Sequence, residues 1–125
     1  MTPVMTKGRT PGRRRLLVLE KDDLIRDLIV RWLGEAGYLA TADEDSPGRF
    51  ALVIADVPDP GKADEVLQSV RARYKVPILV TSGRFTRDPA STRRAANRLG
   101  VAKVLPKPFT CDGLVCAVKE ILNEV

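Results

Sequence analysis

The chain has 125 residues, of which 44% are hydrophobic and 30% are charged. This length and composition suit one globular domain with a substantial apolar core. The sequence contains no histidine, which excludes histidine-ligated metal sites and histidine-based catalysis, and its two cysteines are too few for a disulfide scaffold.

The excess of basic charge is confined to the start of the chain. Basic residues number 21 and acidic residues 16, and the excess of five equals the basic residues in positions 1–15, which contain no acid. Proline, glycine and threonine are frequent there, so we predict a flexible basic arm over residues 1–14 and one domain over residues 15–125. No apolar stretch typical of a signal peptide or a membrane span follows, and we expect a cytoplasmic protein with free thiols.

The first two predicted elements are a buried strand and an amphipathic helix. Residues 16–19 form a continuous apolar run, which is typical of a strand buried on both faces of a parallel sheet. Asp22 or Asp23 then offers an N-cap, and Gly37 provides a stop. Apolar residues recur between them at helical spacing and predict the core-facing side of the helix: Ile25, Leu28, Ile29, Trp32, Leu33 and Ala36.

Strands and helices continue to alternate along the rest of the chain. A weaker strand over 38–42 precedes buried strands over 52–55, 78–80 and 101–105. Three more helices are indicated. The first is marked by the apolar residues Val66, Leu67, Val70 and Tyr74, and the second begins at Asp88–Pro89 and ends at Gly100. The third begins after Thr110, and its apolar residues are Leu114, Val115, Val118, Ile121 and Leu122. This alternation predicts an α/β fold with a doubly wound, five-stranded parallel sheet.

Charged and hydroxyl side chains follow the predicted strand ends. They are Glu20, Lys21 and Asp22 after the first strand, Asp56 after the third, Ser82 after the fourth and Lys107 after the fifth. In such folds ligands bind outside the carboxyl ends of the strands, which share one edge of the sheet. We therefore expect these acids, the serine and the lysine to converge on a single site.

Four segments carry a resemblance to a known family: LLVLEKDDLIR, LVIADVPDPG, VPILVTSG and KVLPKPF. Over residues 14–125 the chain resembles the receiver domain of two-component response regulators. The most specific features are Asp56 with Pro60-Gly61, Thr81-Ser82-Gly83, and Lys107-Pro108-Phe109. The resemblance implies a flavodoxin-like fold with strand order 2-1-3-4-5, and a signalling switch rather than an enzyme.

The resemblance also implies how the site handles a phosphoryl group. Asp56 would be the phospho-acceptor, attacking the phosphoryl donor as a carboxylate nucleophile. Ser82 would hydrogen-bond one phosphoryl oxygen, and Lys107 would pair with another. The bond between Lys107 and Pro108 is expected to be cis, which would aim the lysine at the site.

The magnesium site is where the sequence departs most from the family pattern. The resemblance implies ligation by Glu20, Asp22, Asp56 and the backbone carbonyl of Pro58. However, Lys21 occupies the position of the second acid after the first strand, and its ammonium would repel Mg²⁺. We expect a weakened magnesium site, with two alternatives left open. Either Lys21 points away while Glu20 and Asp22 supply carboxylates, or Lys21 pairs with Asp56 and replaces the metal.

Two further departures concern a helix and the readout of the switch. The stretch between Gly37 and Asp56 is short for the family and is interrupted by Pro47-Gly48, so we expect the second helix to be shortened or missing. The aromatic residue that the family carries three positions before Lys107 is Val104 here. The aromatic readout of phosphorylation is therefore absent.

Two function hypotheses follow from these patterns. The first is a stand-alone receiver that accepts a phosphoryl group on Asp56 from a sensor histidine kinase or a phosphotransfer protein, and signals through protein–protein contacts. The second is a pseudo-receiver, a phosphorylation-independent interaction module that is held in one conformation by a Lys21–Asp56 pair.

Two surfaces are candidates for a homodimer. One is the face that the resemblance assigns to the helix after Asp88, the last strand and the last helix, and the other is the side left thin by the missing helix. Basic residues mark the first of these faces: Arg84, Arg87, Arg94 and Arg98. Because no aromatic residues interleave with them, we favour a solvated face over a nucleic-acid contact, and we expect no membrane partner.

Overall fold

A five-stranded parallel sheet forms the centre of the computed structural model, which describes residues 14–58, 63–83 and 88–124. Its strands are Arg15–Leu19 (β1), Leu39–Thr41 (β2), Leu52–Asp56 (β3), Ile78–Ser82 (β4) and Lys103–Pro106 (β5). All neighbours pair in parallel, in the order β2-β1-β3-β4-β5. The predicted doubly wound topology is therefore confirmed.

The described residues form four helices, and capping residues define where they begin. The helices are Asp23–Glu35 (α1), Ala63–Tyr74 (α2), Pro89–Leu99 (α3) and Cys111–Ile121 (α4). The side chains of Asp22, Asp88 and Thr110 accept hydrogen bonds from backbone N–H groups at the starts of α1, α3 and α4, as the sequence predicts. None of these helices is both long and apolar enough to cross a membrane.

The two faces of the sheet bury separate apolar clusters. Alternate strand residues contact α1 and α4 on one face, where the cluster includes Leu16, Val18, Ile54, Leu79, Ile29, Leu33, Leu114 and Val118. The residues between them contact α2 and α3 on the other face, with Leu17, Val53, Ala55, Val80, Leu67, Ala96 and Leu99. This two-sided burial explains why the strands are apolar without alternation.

Residues 42–51, which join β2 to β3, contain no helix, in agreement with the predicted loss of the second helix. Arg15 of β1 holds this connection in place. Its guanidinium donates a hydrogen bond to Ser46 Oγ and lies 4.8 Å from the centroid of the Phe50 ring. Gly48 passes so close that a Cβ there would lie 2.8 Å from Arg15 Nη1.

The boundary of the domain differs by one residue from the prediction. Arg14, which was assigned to the arm, accepts a hydrogen bond from the N–H of Leu39 through its carbonyl oxygen. Its guanidinium also lies 3.3 Å from the carboxylate of Glu124. Arg14 is therefore part of the folded domain, while the rest of the predicted arm (residues 1–13) lies outside the described residues.

Three residues predicted to face the core are exposed, namely Leu28, Ala36 and Val66. Leu28 of α1 is 39% exposed and Val66 of α2 is 43% exposed. The apolar stripe of each helix is wider than its contact with the sheet, so Ile29 and Leu67 are buried while their neighbours reach the surface.

Some predicted residues lie outside the described part of the chain, namely Pro60, Gly61, Arg84 and Arg87. The other two arginines of the predicted basic face, Arg94 and Arg98, are exposed on α3.

Candidate functional site

The carboxyl ends of three adjacent strands bring the predicted site residues to one edge of the sheet. Asp56 ends β3 and Ser82 ends β4, while Lys107 directly follows β5. The register fixes their relative heights, because Asp56 pairs with Thr81, and Ser82 pairs with Pro106. The backbone N–H of Lys107 also donates a hydrogen bond of 2.8 Å to the carbonyl of Ser82.

Lys107 connects the two carboxylates of the site. Its Nζ lies 2.8 Å from Asp56 Oδ1 and 2.8 Å from Glu20 Oε1. The carboxylates are largely shielded from solvent, with side-chain exposures of 12% for Asp56 and 3% for Glu20. A shared ammonium therefore pairs with both carboxylates and reduces their mutual repulsion, leaving one net negative charge at the edge of the sheet.

The surroundings of Lys107 keep it charged. Burial alone lowers the pKa of Lys107, but the hydrogen bonds to Asp56 and Glu20 and their negative charges outweigh this effect and raise it above 10.5. The peptide bond between Lys107 and Pro108 is cis, in agreement with the expectation from the resemblance. The site therefore holds a permanent cation at neutral pH.

Two hydroxyl residues end β4, and sequence reasoning singled out one of them. Ser82 is fully buried at the strand end. The preceding Thr81 is 1% exposed, and its Oγ1 has no hydrogen-bond partner among the described residues. The signal for Thr81 was present in the sequence, because a hydroxyl residue there interrupts an apolar strand that is buried on both faces.

Asp22, a predicted magnesium ligand, has a different role in the structure. Its Oδ1 accepts hydrogen bonds from the N–H groups of Leu24 and Ile25, at 3.0 and 3.1 Å, and so caps α1. The N–H of Asp22 donates in turn to Glu20 Oε2 at 3.1 Å. Asp22 therefore orients Glu20 through its backbone, while its own carboxylate serves the helix.

Lys21 lies in the wall of a cleft of about 370 Å³ that it shares with Glu20, Asp56 and Pro58. The residue is exposed, and in the described part of the chain no ion pair links it to Asp56. The pair on which the pseudo-receiver hypothesis depended is therefore not formed. The loop after β5 brings Lys107 directly onto Asp56, and this lysine is its partner.

The residues present do not fit the magnesium ligand set that the resemblance implies. No three Asp, Glu or Cys side chains within residues 14–58, 63–83 and 88–124 are grouped closely enough to hold a metal ion. Both oxygens of Glu20 and one of Asp56 accept from protein donors, and Asp22 faces the start of α1. Magnesium ligation stays a prediction that this geometry does not favour.

An apolar groove adjoins the site on the side of α1. Its volume is about 370 Å³, and it is lined by Ile25, Leu28, Ile29, Trp32, Pro108 and Phe109, with Lys107 at one end. The rings of Trp32 and Phe109 meet edge to face with 6.4 Å between their centroids. Leu24, one turn of α1 before Leu28, is 79% exposed, so apolar surface continues beyond the groove.

Comparison with known proteins supports this architecture. No family model matches the chain. It is 30% identical to "Protein PetR" of Rhodobacter capsulatus over 121 residues, which cover 88% of this chain and 49% of that protein. It is also 30% identical to "Response regulator MprA" of Mycolicibacterium vanbaalenii over 119 residues, which cover 87% of this chain and 50% of that protein. The chain thus spans about half the length of these relatives.

Solved structures show the same fold. A response regulator receiver protein from Burkholderia phymatum superposes with a TM-score of 0.69 at 24% identity, covering 90% of this chain and 98% of that one. The chemotaxis protein CheY4 of Vibrio cholerae also gives 0.69 at 24% identity, covering 88% of this chain and 99% of that one.

The strand order and the acid–lysine site define a flavodoxin-like α/β signalling domain. The chain is thus similar in sequence to named response regulators and has the fold of solved receiver structures. Within residues 14–58, 63–83 and 88–124 it forms four helices where that fold has five, and it carries Lys21 at the edge of the site.

Proposed function

We propose that this domain accepts a phosphoryl group on Asp56 from a phosphohistidine of a sensor histidine kinase or phosphotransfer protein, and signals through protein–protein contacts. The observation that carries the proposal is the position of Lys107 Nζ, 2.8 Å from both Asp56 and Glu20. A nucleophilic carboxylate and a fixed cation are the groups that phosphoryl transfer needs from a protein.

The transfer is a displacement at phosphorus. An oxygen of Asp56 attacks the phosphorus atom, a P–O bond forms, and the P–N bond to the imidazole breaks with its electron pair returning to nitrogen. The ammonium of Lys107 stabilises the negative charge on the transferring oxygens. Ser82 ends the neighbouring strand, and we expect its hydroxyl to donate to a phosphoryl oxygen once that group is attached.

The test of this proposal is labelling by a small phosphodonor. Incubation with acetyl phosphate is expected to add one base-labile phosphoryl group, about 80 Da, to the intact protein. Asp56→Asn should abolish the adduct, because an amide cannot act as the nucleophile. Asp112→Asn, which changes an exposed acid in the first turn of α4, serves as the matched control and should label normally.

One outcome would contradict the proposal directly. If Asp56→Asn acquired the adduct at the wild-type rate, Asp56 would not be the acceptor. The same conclusion would follow if wild-type protein stayed unlabelled at every donor concentration, with and without divalent cations.

The partner that donates the phosphoryl group is proposed to dock on the groove beside α1. This surface combines exposed Leu24 and Leu28 with Pro108 and Phe109, and it ends at Lys107, which contacts Asp56. An amphipathic helix of the donor fits such a groove because it can bury its apolar face there. The contact would place a phosphohistidine next to Asp56.

Docking and chemistry can be separated by one substitution. Leu24→Ser is expected to slow labelling by a histidine kinase domain active on the wild type by about tenfold, since one exposed apolar anchor is lost. Labelling by acetyl phosphate should stay unchanged. Leu39→Ser, which alters an exposed leucine on β2, is the control and should affect neither reaction. An equal loss with both donors would contradict the proposed docking surface.

A further inference from the structure

The cleft in front of Asp56 is lined by two basic side chains as well as by carboxylates. Lys21 and Arg26 line it together with Glu20, Glu44, Asp56 and the exposed Pro58. Arg26 is already paired with Asp23 at 2.9 Å and with Asp27 at 3.6 Å. Lys21, which is exposed, makes no ion pair within the part of the chain that the structure describes, so no described carboxylate holds its ammonium.

The charge balance at the acceptor distinguishes this cleft from one that needs a divalent cation. Glu20, Asp56 and Lys107 together carry one net negative charge. With an acid at position 21 the net charge would be two negative units, which a divalent cation neutralises. With Lys21 the group is neutral already, and Mg²⁺ would leave it strongly positive.

The carboxylates that remain are engaged with protein donors. Glu20 accepts from Lys107 Nζ with one oxygen and from the N–H of Asp22 with the other, at 2.8 and 3.1 Å. Asp22 is occupied as the cap of α1. A divalent cation would have to displace these donors as well as overcome the repulsion by Lys21.

We infer that Lys21 takes the place of the divalent cation, so that Asp56 accepts a phosphoryl group without Mg²⁺. This inference rests on the proposed function of Asp56 and assigns to Lys21 the role of binding the phosphoryl oxygens. A phosphoryl group brings about −1.5 to −2 charges into the cleft. Lys107, which contacts Asp56, and Lys21, which lines the cleft, would then supply two cations for it.

The step balances without any further reactant when the donor is an acyl phosphate. An oxygen of Asp56 attacks phosphorus, the bond between phosphorus and the acyl oxygen breaks, and acetate leaves with the electron pair. The phosphoryl group keeps its charge, and no proton is transferred. Lys21 and Lys107 remain ammonium ions throughout and neutralise the equatorial oxygens.

The experiment compares labelling by acetyl phosphate in EDTA with labelling in MgCl₂, measured as initial rates by intact mass. Wild-type rates are expected to agree within about twofold, because the resident cation is part of the chain. Lys21→Asp should lose about tenfold or more in EDTA and recover in MgCl₂, because it restores a carboxylate that can hold the metal. Lys75→Asp, an exposed lysine on the loop after α2, makes the same charge change elsewhere and should behave as wild type.

A second readout does not depend on phosphorylation. Calorimetric titration with MgCl₂ up to about 10 mM should show no saturable binding to the wild type or to Lys75→Asp, but saturable binding to Lys21→Asp. Because Lys21 is exposed, the variant is expected to fold normally.

The outcomes separate the two proposals. If wild-type labelling required Mg²⁺, the inference on Lys21 would be overturned while Asp56 remained the acceptor. If only Lys21→Asp were labelled, Lys21 would block the site rather than serve it, which overturns both the inference and the proposed function of the wild-type domain. If neither protein were labelled under any condition, the proposed function itself would fail.

Discussion

The edge of the sheet around Asp56 keeps the receiver-domain pattern, whereas the connection over residues 42–51 departs from it. At the edge, the acid and the lysine keep their places, and Lys107 bridges Asp56 and Glu20. In the connection a whole helix is missing, and one arginine of β1 fills the space that remains. The comparison shows that the positions of Asp56 and Lys107 depend on where the strands end. The segment that joins β2 to β3 can instead be replaced by a shorter one without a helix.

The two regions also differ in how charge is used. At the site an ammonium lies between two carboxylates with little exposure, so each charge has a partner of opposite sign. In the connection the guanidinium of Arg15 lies over the ring of Phe50 and donates to Ser46, while its Nη1 is buried without a hydrogen-bond partner among the described residues. The charged groups of the site are therefore all paired with groups of opposite sign, whereas the connection leaves one buried N–H group of Arg15 unpaired among the described residues.

Removing the bridging lysine should have the largest effect on stability. Lys107→Met is expected to lower the free energy of unfolding by about 2–3 kcal/mol at pH 8, because it leaves two shielded carboxylates facing each other. Lys103→Met removes a lysine whose pair with Glu120 is exposed, and it should cost no more than about 0.5 kcal/mol. Urea unfolding of both variants measures the difference. Equal losses would show that the bridge adds no stability.

The same lysine predicts a dependence on alkaline pH. Its folded-state pKa is raised above the ordinary value of 10.5, so its stabilising contribution is fully present below that pH. The contribution is lost as the pH rises through the folded-state pKa. The stability gap between wild type and Lys107→Met should therefore be constant from neutral pH to about pH 10 and then narrow. A gap that narrows already near neutral pH would contradict the ion pair.

Gly48 tests how tightly the connection over residues 42–51 is packed, and Gly34 of α1 is the control. Gly48 has a φ of +99°, and its Cβ would lie 2.8 Å from Arg15 Nη1, so Gly48→Ala should destabilise the fold by about 1–2 kcal/mol. Gly34 lies in α1 with open space around its Cβ position, and Gly34→Ala should stabilise by about 0.5–1 kcal/mol. Thermal or urea unfolding should therefore give opposite signs. A Gly48→Ala variant as stable as the wild type would mean that neither the positive φ nor Arg15 restricts the connection.

The smallest effect is expected at the unpartnered hydroxyl beside the site. Thr81→Val removes a buried Oγ1 that has no hydrogen-bond partner among the described residues and keeps the shape of the side chain. The variant should be more stable by about 1 kcal/mol in urea unfolding. Thr92→Val is the control, because Thr92 Oγ1 donates to the carbonyl of Pro89 at 3.0 Å and its loss should not stabilise. A destabilised Thr81→Val would indicate a polar role for that hydroxyl.

The sequence was sufficient for the fold and for the convergence of the site, since apolar strands and helix caps are local patterns. Asp56, Ser82 and Lys107 could be predicted because each follows a recognisable strand. The sequence could not predict which lysine pairs with Asp56, because this pairing depends on the path of the loop after β5. The role of Asp22 was ambiguous for a similar reason, since one carboxylate can cap a helix or bind a cation.

For the connection over residues 42–51, the sequence could predict only that a helix is missing. Pro47 and Gly48 indicated that no helix forms there, but nothing local showed that Arg15 would cover Phe50. That contact joins residues far apart in the chain and depends on how β1 and β3 align in the sheet. A basic residue next to the predicted arm was more easily assigned to the arm's charge than to the packing of the domain.

The most direct test of the central claim is to locate the phosphoryl group after treatment with acetyl phosphate. Peptide mass mapping of the labelled wild-type protein is predicted to find a single phosphoryl group, about 80 Da, on the peptide that contains Asp56 and on no other. An adduct on a different peptide, or an unmodified Asp56 peptide after exhaustive treatment, would contradict the account of Asp56 and Lys107 as a working acceptor site.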